Sequence, residues 1–395
     1  MGEAWILDLF LLVLLAGYIF SGYRRGLLHS VFALLGVAAG AVVAYFAIPL
    51  VGSWVPEPMW RIVATVFVAI ALVVFGHSVG AAAGRSIRSS LKRSPLRFVD
   101  RLLGAAVTGV AAALITAVLA LSVTALGVPV LSQAIGASSV LRGISDLTPD
   151  PVEGALAQLR QSVVDDGLPL ISDALGGITT SPELPRARPA GDALARAAQS
   201  VVRITGNAYE CGQNQTGSGF VVATDRVVTN AHVVAGVTAP IVETPGGGAL
   251  PGRVVYFDPA KDLAVIAVDG MTTVALPLSP TLERGSLGVV DGYPYGGPFS
   301  TKPAKVLSVA TTSVDDIYGA TPSSREIYTL AADVREGNSG GPFLAEDGSV
   351  AGVVFAKSAD LDNVGYALTM TELSPVAAQA PGLTATVPSG TCVRG

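Results

Sequence analysis

Cysteine and histidine are the scarce residues of this 395-residue chain, with two and three copies, and charged residues make up only 14% of it. Two cysteines are too few for a fold built on disulfides, so apolar burial has to hold the chain. Of the three histidines, His29 and His77 fall in the strongly apolar first third, which leaves His232 as the one imidazole for everything beyond it. Any chemistry there that needs a histidine as general base has a single candidate. Basic charge is short too. With 25 Lys and Arg against 30 Asp and Glu, the net charge is −5, without the basic surplus that grips a phosphate backbone. Nucleic-acid binding is not expected, and neither is a metal or a cofactor.

Apolar length is abundant. Half of the residues are hydrophobic, and they concentrate in stretches at 4–22, 28–50, 60–84 and 102–127. Each is long enough to cross about 30 Å of hydrocarbon as a helix, so four transmembrane helices are expected. The first is not read as a cleaved signal peptide, because no basic segment precedes it and three more spans follow. Arg24 and Arg25 lie between the first two stretches, and Arg85, Arg88, Lys92, Arg93, Arg97 and Arg101 between the last two, whereas 51–60 has no basic residue. Short cytoplasmic loops retain Lys and Arg, so both basic loops are assigned to the cytoplasm and everything after residue 127 to the extracytoplasmic side of the plasma membrane. Charge agrees with that. The first 127 residues hold nine of the 25 basic and four of the 30 acidic side chains, leaving a cationic membrane part and an acidic remainder. Gly36 and Gly40, then Gly76, Gly80 and Gly84, repeat the four-residue glycine spacing that lets helices approach closely in lipid. Asp8, His29 and His77 are ionisable groups placed near helix ends, within reach of water or headgroups. The arrangement of spans and the basic third loop resemble the membrane region of colicin V production proteins.

Residues 128–190 form a looser connector. Between 151 and 175, Val152, Leu156, Leu159, Val163 and Val164 suit one or two short amphipathic helices. Pro182, Pro185 and Pro189, with Arg186 and Arg188, mark 178–192 as an exposed linker, the kind of segment that is nicked by proteolysis. Cys211 and Cys392 both fall in the part assigned to an oxidising compartment. The leading reading is a disulfide closing a loop of about 180 residues, an order of 4 kcal/mol on the chain-entropy model; two unpaired thiols are the alternative.

Residues 191–395 read differently. Short β-branched segments at 200–205, 219–223, 226–234, 253–257, 263–268, 286–290, 305–311, 326–332, 350–356 and 364–368 are separated by Gly, Pro and Asp turns, with no alternating helix pattern. Many even strands with turn signals point to barrels, and about 200 residues suit two of six strands each. Within this region stand Gly217-Ser218-Gly219-Phe220-Val221-Val222, Val228-Thr229-Asn230-Ala231-His232-Val233-Val234, Asp262-Leu263-Ala264-Val265-Ile266, Gly337-Asn338-Ser339-Gly340-Gly341-Pro342 and Asn363-Val364-Gly365-Tyr366-Ala367-Leu368. In order and spacing, with 30 residues from His232 to Asp262 and 77 on to Ser339, they resemble the trypsin-like serine proteases of the HtrA/DegP branch. The whole chain is similar to the actinobacterial membrane-anchored periplasmic proteases linked to acid resistance. It departs from HtrA in leaving no room after residue 375 for a PDZ domain.

The resemblance implies an all-β chymotrypsin-like double barrel behind a four-helix transmembrane bundle, divided as 1–127, 128–190 and 191–395. It implies Ser339 as nucleophile, His232 as base and Asp262 as the group orienting the imidazole, with the N–H groups of Gly337 and Ser339 as the oxyanion hole. The region has other aspartates, including Asp225, Asp258, Asp269 and Asp291, and several of them read as turn residues. Phe355, Ala356 and Lys357 are expected along the substrate groove, where extended peptide adds by β-augmentation. Asp333 falls where trypsin carries its basic-specificity carboxylate, unless Arg335 pairs with it. Asn338 cannot make the ion pair with a freed N-terminus that an aspartate makes in digestive enzymes. The expected activity is that of an endopeptidase on envelope or misfolded proteins under stress or in acid, with its own linker as a further substrate. A silent protease fold serving the bundle, or an esterase using the same triad, are the competing readings.

Overall fold

The computed structural model describes residues 4–54, 58–89, 97–125, 180–186, 189–208, 213–246 and 248–393, with short pieces between 131 and 171. Two units separate, residues 6–116 and residues 117–395 together with the first five.

In the first unit, α1 (Ala4–Arg25), α2 (Leu27–Trp54), α3 (Pro58–Ser89) and α4 (Arg97–Ala125) are each long and apolar enough to cross a membrane. All four extend beyond the spans expected from hydropathy. Glycine sets their pairing. A Cβ on Gly36 or Gly76 would strike the other's carbonyl, and one on Gly80 would strike the carbonyl of Phe32, so α2 and α3 touch backbone to backbone. Gly22 and Gly104 do the same for α1 and α4, and a Cβ on Gly104 would also strike Gly26, four residues after Gly22. In lipid such contact gains dispersion that bulkier residues would forfeit. Asp100 Oδ1 accepts the N–H of Leu28 at 3.3 Å, and Thr108 Oγ1 donates to Ser30 Oγ at 3.0 Å. Phe20, Phe46, Phe67 and Phe75 lie on the outer surface.

In the second unit, α5 (Ser139–Leu147) and a two-residue strand β1 (Leu170–Ile171) precede α6 (Asp192–Ala198). Most of the amphipathic segment expected at 151–175 lies outside the described residues, as do Cys211 and Arg188. Cys392 is buried and is not a free thiol. From 201 onward the chain builds the two curled sheets that the strand pattern predicts. The first sheet holds β2 (Val201–Ala208), β3 (Gln213–Ala223), β4 (Arg226–Thr229), β5 (Ile241–Glu243), β6 (Ala249–Pro251), β7 (Arg253–Asp258) and β8 (Leu263–Ala267), in the order β6-β5-β2-β3-β4-β8-β7. The second holds β9 (Leu287–Gly292), β10 (Ser300–Asp315), β11 (Pro322–Ala331), β12 (Pro342–Ala345), β13 (Val350–Ser358) and β14 (Val364–Leu368), and pairing of β13 with β14 closes it, with β1 added parallel to β13. Val202, Ile204, Val227, Val242 and Ile266 fill the first core; Val290, Val306, Tyr328, Phe343 and Val354 fill one within the second.

Several elements depart from the sequence reading: α6, β5, β6 and β12 were not among the expected segments. The segment 226–234, expected as one strand, ends at Thr229, and Ala231–Val234 makes a single helical turn, α7. After β14 comes α8 (Met370–Gln379), where no helix was expected. Its start is nonetheless written in the sequence: Thr369 Oγ1 caps the N–H of Thr371 at 3.3 Å, and Glu372 follows three residues after Thr369, as in a capping box. Arg226 Nε donates to the carbonyls of Ala380 and Leu383, at 3.1 and 3.0 Å, and so ties the end of α8 to β4.

Candidate active site

The first sheet brings His232 and Asp262 together. Asp262 opens β8 at a positive φ of 55°, a cost met by the turn before it. There Asp258 Oδ1 accepts the N–H groups of Ala260 and Lys261, each at 3.0 Å, and Lys261 Nζ reaches the buried Glu372 at 2.8 Å. Burial and the Asp258 carboxylate push the neighbouring Tyr256 hydroxyl up to about 12. Held this way, Asp262 accepts the backbone N–H of His232 at 3.0 Å and faces its Nδ1 at 2.8 Å through Oδ2 and 3.0 Å through Oδ1. Asn230 Nδ2 donates to the Asp262 carbonyl at 2.8 Å. Because a carboxylate can only accept, the partner of Nδ1 assigns the ring proton to that nitrogen and leaves Nε2 as an acceptor. Both side chains are buried, His232 at 7% and Asp262 at 2% exposure.

Ser339 comes from the second sheet, on the turn before β12. Gly337 and Gly340 take φ of 86° and 80° there, which favours glycine. Asn338 Oδ1 accepts the Arg335 N–H at 2.9 Å, and the Asn338 carbonyl accepts the Gly341 N–H at the same distance. The turn sits against the His232 segment. A Cβ on Gly340 would lie 3.0 Å from the Asn230 nitrogen, and one on Gly217 would lie 3.1 Å from the Ser339 carbonyl and against Val233. Ser339 is 3% exposed, and its Oγ makes no hydrogen bond among the described residues. The N–H groups of Gly337 and Ser339 likewise donate to no acceptor among those residues.

The remaining candidates are distributed less simply. Asp333 is held by Arg335 Nε at 2.6 Å, so its charge is matched internally. Phe355 and Ala356, expected along the groove, turn their side chains into the core, with the Arg325 guanidinium 6.0 Å from the Phe355 ring centre. The pairing of β13 with β14 shifts register between Val354 and Ala356, and this bulge lets the consecutive residues Phe355 and Ala356 face the same core. Only Lys357 is partly exposed, so β13 offers backbone rather than side chains for Phe355 and Ala356. Asp258 is a turn residue as expected, and Asp225 Oδ1 likewise accepts the Met271 N–H at 2.9 Å. Asp269 pairs with Arg253 at 3.0 Å. Sequence reasoning missed Ser218, whose hydroxyl lies between Tyr293 and Gly337, although it quoted the Gly217-Ser218-Gly219 motif that carries it.

Two protein families match this chain, a trypsin-like peptidase domain over residues 217–353 and the colicin V production protein over residues 7–149. Serine protease Rv3671c of Mycobacterium tuberculosis is 33% identical over 384 residues, spanning 94% of this chain and 95% of that protein. The chain belongs to this family of membrane-anchored serine proteases. The crystal structure of the active form of the Rv3671c protease superposes with a TM-score of 0.51 at 36% identity, covering 56% of this chain and all of that one. A "Probable periplasmic serine endoprotease DegP-like" of Pseudomonas fulva is 30% identical over 206 residues, half of this chain and 38% of that protein. The protease is thus a serine endopeptidase, its chymotrypsin-like double barrel following a multi-pass membrane region, and it acts on protein substrates.

Proposed function

We propose that Ser339, His232 and Asp262 form the catalytic triad of an extracytoplasmic endopeptidase, and the locked contact between His232 Nδ1 and Asp262 at 2.8 Å is the observation that carries it. Ser339 Oγ attacks the scissile carbonyl, and His232 Nε2 takes the proton and returns it to the leaving amine. Asp262 holds the ring in one tautomer and stabilises the imidazolium. The N–H groups of Gly337 and Ser339 receive the oxyanion, each donor supplying about 3 kcal/mol. Asp333, being paired with Arg335, gives little support to basic P1 specificity, while Phe355 to Lys357 present backbone for an extended peptide. Labelling with a fluorophosphonate tests the assignment: a label lost in Ser339→Ala and in His232→Ala supports it, and a label that survives Ser339→Ala removes it.

The setting follows from charge and location. With cationic loops inside, the protease unit faces the envelope, so envelope or misfolded proteins are its substrates and stress or acid is when they accumulate. Domain limits at 127 and 190 and a bridge between Cys211 and Cys392 belong to the same reading, since the compartment is oxidising. Fusion of a periplasm-dependent reporter after residue 190 checks the orientation. The linker is a further substrate, because residues 180–186 carry no regular structure. Expression of Ser339→Ala beside the wild type decides that point; equal release of the soluble fragment from both means another protease cuts.

A further inference from the structure

Ser218 is fully buried on β3, and all its hydrogen-bonding groups are committed. Its Oγ accepts the Tyr293 N–H at 2.9 Å and donates to the Gly337 carbonyl at 2.6 Å. A backbone N–H can only donate, so the one hydroxyl proton has to go to Gly337. The Ser218 N–H donates to the Ser339 carbonyl at 2.8 Å, and the Ser218 carbonyl accepts Thr229 Oγ1–H at 2.8 Å. One residue of the first sheet therefore holds the carbonyls of both Gly337 and Ser339. The carbonyl before Gly337 is pinned as well, since Glu336 O accepts the Tyr295 N–H at 2.6 Å, with Tyr295 at a φ of 60°. A trans peptide points its N–H opposite its carbonyl, so the Gly337 N–H is turned away from Tyr295 with no substrate present.

We propose that the Ser218 hydroxyl is a positioning residue for the oxyanion hole, holding the Gly337-Asn338 peptide so that the hole stands ready before substrate arrives. This rests on the reading of Gly337 and Ser339 as oxyanion donors. Without the hydroxyl, the Tyr293 N–H and the Gly337 carbonyl both lose their buried partner, and the peptide joining the two donor-bearing units keeps only the bond of the Asn338 N–H to the Arg335 carbonyl at 3.0 Å, so both donors lose registration. Loss of a whole oxyanion donor costs about 10²- to 10³-fold in kcat, so loosening one costs less, on the order of 10- to 100-fold.

The test uses the full-length protein in detergent with Ser218→Ala and Ser218→Cys, the latter keeping the volume with a weaker donor. Expected is a kcat about 10- to 100-fold lower on a fluorogenic peptide with KM within about twofold, Ser218→Cys lying between the wild type and Ser218→Ala. Affinity for a peptide boronate, whose tetrahedral adduct on Ser339 uses the hole, should fall in parallel. Binding of the uncleaved peptide to Ser218→Ala/Ser339→Ala should match Ser339→Ala alone. An unchanged kcat, or a loss that appears in KM and in peptide binding, overturns the role of Ser218; if Ser218→Ala fails to fold, Ser218→Cys decides on the same ratio. Failure of the underlying reading is distinguishable, because the wild type itself would then form no boronate adduct.

A second, independent observation concerns the connector. Lys357 N–H donates to the Pro169 carbonyl at 3.3 Å and Ala359 N–H to the Ile171 carbonyl at 3.0 Å, while Ile171 packs on the core and Asn363 Nδ2 reaches the Pro182 carbonyl at 3.3 Å. The Lys357 N–H lies on the β13 edge that an extended peptide would use, and the Ala359 N–H follows just past its end. We infer that residues 169–171 occupy part of the peptide edge in cis and compete with substrate. Ile171→Asp in the full-length protein, which places a charge against the core, should raise kcat/KM on a peptide at least threefold, and a synthetic peptide of residues 167–173 should then inhibit the variant competitively. Unchanged or lowered kcat/KM in a variant that melts like the wild type overturns the inference.

Discussion

The two sheets prepare their parts of the site to different degrees. In the first, His232 and Asp262 are joined by three contacts of 2.8–3.0 Å and Asn230 braces the carboxylate's own backbone. In the second, the Ser339 hydroxyl makes no hydrogen bond among the described residues. The His232–Asp262 pair is thus assembled by the folding of one sheet, whereas the placement of Ser339 beside it depends on how the sheets are held together. Ser218 and the glycines at 340 and 341 carry that junction: a Cβ on Gly340 would strike the Ser218 carbonyl and Thr229 Oγ1, and one on Gly341 would come within 3.2 Å of the Ser218 Cβ.

The largest expected effect tests whether the two sheets act as one unit in the reaction. Ser339→Ala and His232→Ala should each lower kcat by about 10⁶-fold, and the double variant should be no worse than either. No second histidine in residues 117–395 can substitute. Additive losses on a fluorogenic peptide would show that the sheets contribute separately. Asp262→Asn comes next, at about 10⁴-fold in kcat, because the ring loses the partner that selects its tautomer. It stays within the first sheet, so fluorophosphonate labelling should slow as peptide turnover does, and labelling at the wild-type rate would mean that the pair is structural.

Gly340 and Gly270 make a matched pair across the comparison, with the same φ of 80°. Nothing lies within 4 Å of a Cβ on Gly270, so Gly270→Ala meets backbone strain alone, about 1–2 kcal/mol. Gly340→Ala meets that strain and the crowded junction, which adds about 1–3 kcal/mol of overpacking. Denaturant unfolding of both variants measures the difference. Equal losses would mean that the junction yields, and the distinction drawn between the two sheets would lose its footing.

How much of this was legible depends on whether a feature is local. The helices α1 to α4 follow from apolar length alone, and the contact of α2 with α3 from the spacing of Gly36, Gly40, Gly76 and Gly80. Gly22 and Gly26 have the same spacing, but nothing local names Gly104, far along the chain, as their partner. In the β unit, alternation and turn residues outlined most strands, yet β4 stopped at Thr229, because the β-branched run through Val233 and Val234 hides a helical turn whose only local sign is Asn230. His232, Asp262 and Ser339 were named through resemblance, since each sits in its own motif. What holds them was not readable, because Ser218 acts on Gly337 across 119 residues and Lys261 on Glu372 across 111. The groove residues show the same limit: a strand pattern marks Phe355 and Ala356 but does not say that both side chains are enclosed.

The smallest expected effect lies in the turn that follows β12. Asp347 Oδ1 accepts Ser349 Oγ–H at 2.5 Å and the Ser349 N–H at 2.9 Å, and these bonds, the hydroxyl's first, hold the carboxyl below its ordinary range. A depressed carboxylate adds stability only above the pKa it has in the unfolded chain, near 3.9, and that contribution disappears as pH falls through the lower folded value. Asp347 is solvent-exposed, so screening keeps the effect small, and Asp347→Asn should lower Tm by only about 1 °C at neutral pH. The deficit should shrink below about pH 4 and vanish once the wild-type carboxyl is protonated in both states. A deficit that instead grows in acid would mean the Asp347 turn is strained rather than braced by its charge, with the hairpin held by its β12–β13 pairing alone.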